Sequence, residues 1–360
     1  MKTLSAVAFL LLVSIGVSLS LPAITSGGQN NRSSNRPRPL PPRNSNGPRK
    51  VDEPTGPITC PGLSDCKVAK KDLPVDLPVA FPGPDGMTLH GHLFVPGVRT
   101  LAELDALSKA PRNRVSDPNA SAAGTGGLRS LGHIFPSMIY NHGSTLNPDG
   151  EPTLAKLYVD SGYIFFAPDR HGQGTSKDAG PYHVTEQQKL DKRDSGYGKA
   201  VVALHEKYNR DVIAAVEWFK KQPYVDPNRI LMTGLSFGGI QTVMAAEKDP
   251  GIRAYIPFAP AAMSWGLPAL DRKLKNIVTN VRAPMFIIQA TGDYSLGPVE
   301  ELGQKLAEKG DPSKWRSKLY PQFGCTNDQA HRRFAQECDG IAIWSHDVLE
   351  FIDQILKSPG

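Results

Sequence analysis

Short apolar runs bounded by turn residues alternate along this chain with stretches of helical period. The runs at 138–140, 163–166, 230–232, 254–258 and 285–288 lack polar alternation, as strands buried on both faces do. Between the second and third lies a helical stretch whose apolar face is Val212, Val216 and Phe219, with Ile213 beside it. A terminal helix carries Ile343, Val348, Phe351, Ile352 and Leu356. Apolar strands separated by helices predict an α/β fold with a mostly parallel, doubly wound sheet covered by helices on both faces. Ligands in such a sheet bind at the carboxyl ends of its strands. Ahead of this region, 79–81 and 88–95 predict two strands joined through a turn-rich connection at 82–86. Alternation places Leu89, Gly91, Leu93 and Val95 on one face and His90, His92 and Phe94 on the other, a half-exposed one. Residues 99–132 predict an insertion loop with a short helical piece at 101–107.

Of the 360 residues, 39% are hydrophobic, enough for one large core, assigned here to residues 56–360. Residues 1–20 read as a signal peptide: Lys2, an apolar stretch at 6–17, then the small residues Ser18 and Ser20. That stretch is short for a bilayer and contains Ser14 and Gly16. Residues 21–55, rich in Pro, Asn, Ser and Arg, predict a disordered basic leader. Lys2 and the leader's Arg32, Arg36, Arg38, Arg43, Arg49 and Lys50 meet no acidic residue before Asp52. Removing these seven positive charges from the formal +6 leaves the remainder near −1. A nearly neutral body argues against a nucleic-acid partner; the leader allows weak contact with an anionic surface. A secreted or periplasmic location favours disulfides, and local pairing predicts Cys60 with Cys66 and Cys325 with Cys338. Neither pair has zinc-knuckle spacing, so no metal is expected. Asn31 and Asn119 each head an N-x-S sequon.

The candidate chemistry centres on Gly234-Leu235-Ser236-Phe237-Gly238-Gly239, which follows the apolar run at 230–232 and leads into a helical stretch at 240–248. A serine on a sharp strand-to-helix turn is an exposed nucleophile. It needs a base to take its proton and an acid to hold that base in the right tautomer. Asp293, just past the 285–288 strand, is the candidate acid. Of two downstream histidines, His346 falls within the terminal helix, whereas His331 is expected in an irregular loop bracketed by Cys325 and Cys338; His331 is the expected base. The oxyanion of a tetrahedral intermediate would be met by the N–H of Phe237 and by that of Ser144 or Gly143, in Asn141-His142-Gly143-Ser144. His142 would brace that loop or border the pocket, Trp265 could wall the acyl pocket or serve as ordinary packing, and Arg170 and His171 would hold the oxyanion loop or touch substrate. The loops at 99–132 and 260–280 would shape the pocket.

These segments, with Pro168-Asp169-Arg170-His171-Gly172-Gln173-Gly174 and Val225-Asp226-Pro227-Asn228-Arg229-Ile230, resemble the α/β-hydrolase fold over residues 75–356. The set is most similar to the dienelactone hydrolase family and to the catalytic domains of prolyl oligopeptidase-type serine peptidases. The resemblance implies a Ser236, Asp293, His331 triad, an acyl-enzyme intermediate and no cofactor. Two departures matter. Dienelactone hydrolase itself uses a cysteine nucleophile, and the large peptidases carry a propeller for which the stretch before residue 75 has no room. Both favour hydrolysis of a small-molecule ester, with a serine peptidase acting on short peptides as the alternative and a non-catalytic binding protein as the reading from a different class.

Overall fold

The computed structural model describes residues 60–110 and 134–358. The expected signal peptide, basic leader, both sequons and most of the 99–132 insertion lie outside the described residues.

Eight strands form one sheet in the order β1-β2-β4-β3-β5-β6-β7-β8. They are β1 (Leu77–Pro82), β2 (Thr88–Phe94), β3 (Phe135–Asn141), β4 (Ile164–Pro168), β5 (Val225–Leu235), β6 (Tyr255–Phe258), β7 (Met285–Ala290) and β8 (Trp315–Tyr320). β2 runs antiparallel to both β1 and β4, and every pairing from β4 to β8 is parallel. Each apolar run of the sequence has become a strand, and the absence of alternation has its cause in two buried faces. In β4, Ile164 and Phe166 pack on one side and Phe165 and Ala167 on the other.

The helices are α1 (Leu101–Lys109), α2 (Pro152–Asp160), α3 (His183–Gln188), α4 (Tyr197–Phe219), α5 (Phe237–Lys248), α6 (Pro268–Asn280), α7 (Gly303–Ala307), α8 (Phe334–Gln336) and α9 (Cys338–Lys357). α4, α5 and α6 cover one face through Val212, Val216, Phe219, Val243, Leu270 and Leu274. α2 and α9 cover the other through Leu154, Tyr158, Trp344, Val348, Phe351 and Ile352. α1 begins with a capping box, Thr100 and Glu103 exchanging side-chain and backbone hydrogen bonds.

Two expectations change. On the face of β2 expected to be half exposed, His90 is half-buried, but His92 is covered. His92 is buried and ion-pairs with Asp76 (2.7 Å) and Asp169 (3.6 Å). Burial opposes its charge, yet the Asp169 and Asp76 carboxylates outweigh that and raise its pKa to about 10. Of the insertion, residues 99–110 are described; they follow β2, whose last residue Phe94 pairs with Phe165 of β4.

The second change is the cysteine pairing: Cys60 bonds Cys325 and Cys66 bonds Cys338. The 60–66 segment lies along the chain that holds both partners. Gly324 N–H donates to the Pro61 carbonyl (2.6 Å), Ser64 N–H to Asp339 (3.2 Å), and Arg333 to the Ser64 carbonyl (2.9 Å). Closing a short local loop costs less chain entropy, but tertiary placement decides which thiols meet. The bridges span 265 and 272 residues, and either one closes almost the same loop. Replacing one pair by serines should therefore cost about 1 kcal/mol in a urea melt, and replacing both about 3–5 kcal/mol. Cleavage without reduction should release a peptide joining Cys60 to Cys325.

Candidate active site

Ser236 stands between the end of β5 and the start of α5 with φ 59° and ψ −117°, a conformation that L-residues rarely adopt. It is held there from both sides: Ser236 N–H donates to the Phe258 carbonyl (3.0 Å), and its own carbonyl accepts from Ile240 N–H (2.9 Å). The flanking glycines are required by close approach. A Cβ on Gly238 would stand 1.8 Å from the Asn141 carbonyl oxygen, and one on Gly234 would stand 2.5 Å from the Gly238 carbonyl oxygen. Ser236 is half-buried, and the N–H of Phe237 opens α5, where no intrahelical acceptor exists.

The chain leaving β3 runs beside this turn; a Cβ on Gly143 would lie 3.9 Å from the Ser236 Cβ. Its carbonyls are drawn away by side chains. Arg170 Nη2 donates to the carbonyls of His142 (2.7 Å) and Gly143 (2.8 Å), Gln173 donates to that of Thr145 (2.6 Å), and the Tyr182 hydroxyl donates to that of Ser144. A peptide is planar and trans, so each carbonyl turned toward Arg170 turns the following N–H the other way. The N–H groups of Gly143 and Ser144 are thereby both directed away from the guanidinium.

Arg170 is fully buried, and burial lowers its guanidinium to about 10. The same burial, with the Arg170 charge added, depresses His142 to about 3, His183 to about 2 and His205 to about 4. At neutral pH these imidazoles carry no charge. The Phe237 side chain sits among them, its ring 4.9 Å from the guanidinium carbon and 3.9 Å from the His183 ring. His171 is tied to Asp211 through its backbone N–H (2.9 Å) and Nδ1 (2.6 Å).

Asp293 and His331 meet after β7 and β8. His331 Nδ1 lies 2.9 Å from Asp293 Oδ1 and 3.0 Å from Oδ2. The carboxylate is further fixed by the Tyr294 N–H (2.6 Å) and by Gln289 (3.0 Å). His331 Nε2 is buried and has no hydrogen-bond partner among the described residues. His331 does not sit in an irregular loop: it lies in a π-helical turn, Gln329–Arg333, that continues into α8. His346 lies on α9, exposed.

Of the remaining expected residues, His142 is buried against Arg170 (2.9 Å). Trp265 donates to Glu301 (2.8 Å) and packs over Gly297, joining the loop after β6 to the loop after β7. The sequence reading missed Gln173, Tyr182 and His183. Gln173 had a signal, since it belongs to the Pro168 to Gly174 motif; Tyr182 and His183 had none.

The dienelactone hydrolase family pattern matches residues 148–338, just over half the chain. A polyketide transferase, grgF, of a Penicillium species is 28% identical over 184 residues, 47% of this chain and 56% of the transferase. Dipeptidyl-peptidase 5 of Porphyromonas gingivalis is 30% identical over 131 residues, 35% of this chain. The chain thus spans about half the length of the first relative and only 17% of the second. Among solved structures, an acylaminoacyl peptidase of Pyrococcus horikoshii superposes with a TM-score of 0.52 at 16% identity, covering 80% of this chain and 43% of the peptidase. Esterase Est22 superposes with a TM-score of 0.50 at 12% identity, covering 79% of this chain and 80% of the esterase. At those identities the likeness is one of fold, the α/β-hydrolase fold. With the family pattern running from the loop after β3 to the start of α9, this chain belongs to the dienelactone hydrolase family.

Proposed function

We propose that the protein is a serine hydrolase that cleaves a carboxylic ester through an acyl-enzyme. The observation that carries the reading is His331, its Nδ1 engaged by both oxygens of Asp293 and its buried Nε2 left unpaired. Ser236, on its strained turn at the carboxyl end of β5, supplies the nucleophile for that imidazole. Ser236 Oγ attacks the ester carbonyl carbon while its proton passes to His331 Nε2. The carbonyl oxygen, now an anion, accepts from the N–H of Phe237 and from that of Ser144 or Gly143. The carbon–oxygen bond to the alcohol breaks, and His331 gives its proton to the leaving oxygen. Water then attacks the acyl carbon, loses a proton to His331, and the acid leaves as Ser236 recovers its hydrogen. Asp293 holds Nδ1–H throughout, so that Nε2 faces the reaction.

Two disulfides fit export to an oxidising compartment. Among the described residues no helix is long and apolar enough to cross a membrane. A peptide substrate is the second reading, drawn from the 30% identity to Dipeptidyl-peptidase 5.

A fluorophosphonate should label Ser236 in the folded protein and fail to label Ser236→Ala; an unlabelled wild type would support a non-catalytic role. Short acyl esters should turn over faster than aminoacyl anilides, and the reverse order would favour the peptidase. His331→Ala should cut ester turnover by roughly 10⁴-fold or more, whereas His346→Ala keeps most of it. Tyr182→Phe deletes one hydrogen bond to the Ser144 carbonyl and keeps the ring. It should lower kcat about tenfold, a barrier rise of about 1.4 kcal/mol, with KM and the melting temperature little changed.

A further inference from the structure

Resting on that reading, we infer that the alcohol portion of the ester is an apolar group that lies over Tyr294 and Met263. Isolated exposed apolar side chains are ordinary on a protein surface; what matters is where these two stand. Met263 is 62% exposed and Tyr294 43% exposed. Both rise from loops at the carboxyl ends of the central strands, Met263 after β6 and Tyr294 after β7, on the same side of the strand that ends in Ser236. The two loops touch, because Trp265 of the first packs over Gly297 of the second and donates to Glu301.

The orientation of each side chain follows from what anchors its loop. After β6 the chain turns through Ala259 (φ 44°) and Ala261 (φ 65°), both buried with Ala262, and Met263 is the next residue. Three buried alanines leave its side chain as the one that faces outward. Tyr294 gives its N–H to Asp293 Oδ1, and its ring meets the His331 ring edge-on at 5.4 Å. In the proposed reaction His331 Nε2 hands its proton to the leaving alkoxide, so the alcohol oxygen must come within hydrogen-bond reach of that imidazole. Whatever the oxygen carries then passes beside the Tyr294 ring. The apolar seat therefore belongs to the leaving group, and the Gly143 side of Ser236 is left to the acyl group.

Covering this exposed seat strengthens transition-state binding in acylation. A fully buried methylene contributes about 0.8 kcal/mol, close to fourfold, so a half-covered one gives about twofold. From ethyl acetate to hexyl acetate kcat/KM should climb on the order of tenfold, while kcat, where deacetylation limits, stays level because every ester forms the same acetyl-enzyme. In Met263→Ser with Tyr294→Ser the hexyl-to-ethyl ratio of kcat/KM should fall to about twofold. Leu101→Ser, which removes an exposed leucine on α1, should leave the ratio as in wild type. The ratio cancels any general loss of folded enzyme. A flat wild-type series, or a ratio unchanged in the double variant, overturns the inference. So does dependence on acyl length alone in a matched series of ethyl esters. If no ester is hydrolysed and the fluorophosphonate leaves Ser236 unlabelled, it is the hydrolase reading that fails.

Discussion

The backbone at Ser236 occupies a region that costs on the order of 1–3 kcal/mol, and such a conformation survives only where its surroundings overdetermine it. Here they do. The Phe258 carbonyl fixes the residue from the β6 side, Ile240 fixes it from within α5, and Gly238 passes so near the Asn141 carbonyl that no side chain would fit. That last contact links two features that would otherwise be separate. The chain leaving β3 cannot move relative to the Ser236 turn, so the proposed nucleophile and the loop proposed to meet its oxyanion are placed by one constraint.

A buried guanidinium would be a liability without compensation. Arg170 spends its Nη2 on the carbonyls of His142 and Gly143, donates through Nε to Gln173 (3.1 Å), and has the Asp211 and Asp169 charges nearby. The histidines around it stay neutral because burial and that cation both oppose protonation. Protonation of His142, His183 and His205 beside the guanidinium is thereby disfavoured. Turning the His142 and Gly143 carbonyls toward Arg170 has the structural consequence of turning the N–H groups that follow them away from it.

How much of this was legible in the sequence depended on the range of the determining interaction. The apolar runs became strands because burial on both faces leaves a local trace, and the Gly234 to Gly239 turn was readable because its close contacts demand glycine at fixed offsets. Asp293 and His331 could be nominated from their order behind Ser236, and the structure brings those two within hydrogen-bond distance. The cysteine pairing failed because the 60–66 segment meets 325 and 338 only through tertiary placement. His92 was misjudged for a related reason: alternation reports two faces, and Asp76, Gly150 and Asp169, which cover His92, come from other segments of the chain. Tyr182 reaches the Ser144 carbonyl from outside every motif, so no spacing rule could have found it.

The members of the proposed triad differ in what supports them. Ser236 is gripped by the centre of the sheet, and Asp293 by Gln289 of β7 and by Asn327, which donates to the Gly292 carbonyl (2.7 Å). His331 comes after β8, the edge strand, on a turn outside the sheet. The support there is supplied from elsewhere in the chain. Cys325 and Cys338 lie on either side of His331, each tied to the 60–66 segment, and Arg333 ion-pairs with Asp339 (2.6 Å) while donating to Ser64. The long-range bridges thus brace the part of the proposed site that lies outside the sheet. Local bridges would have closed the turn upon itself, whereas the observed pairing ties both of its flanks to one segment from near the other end of the folded chain.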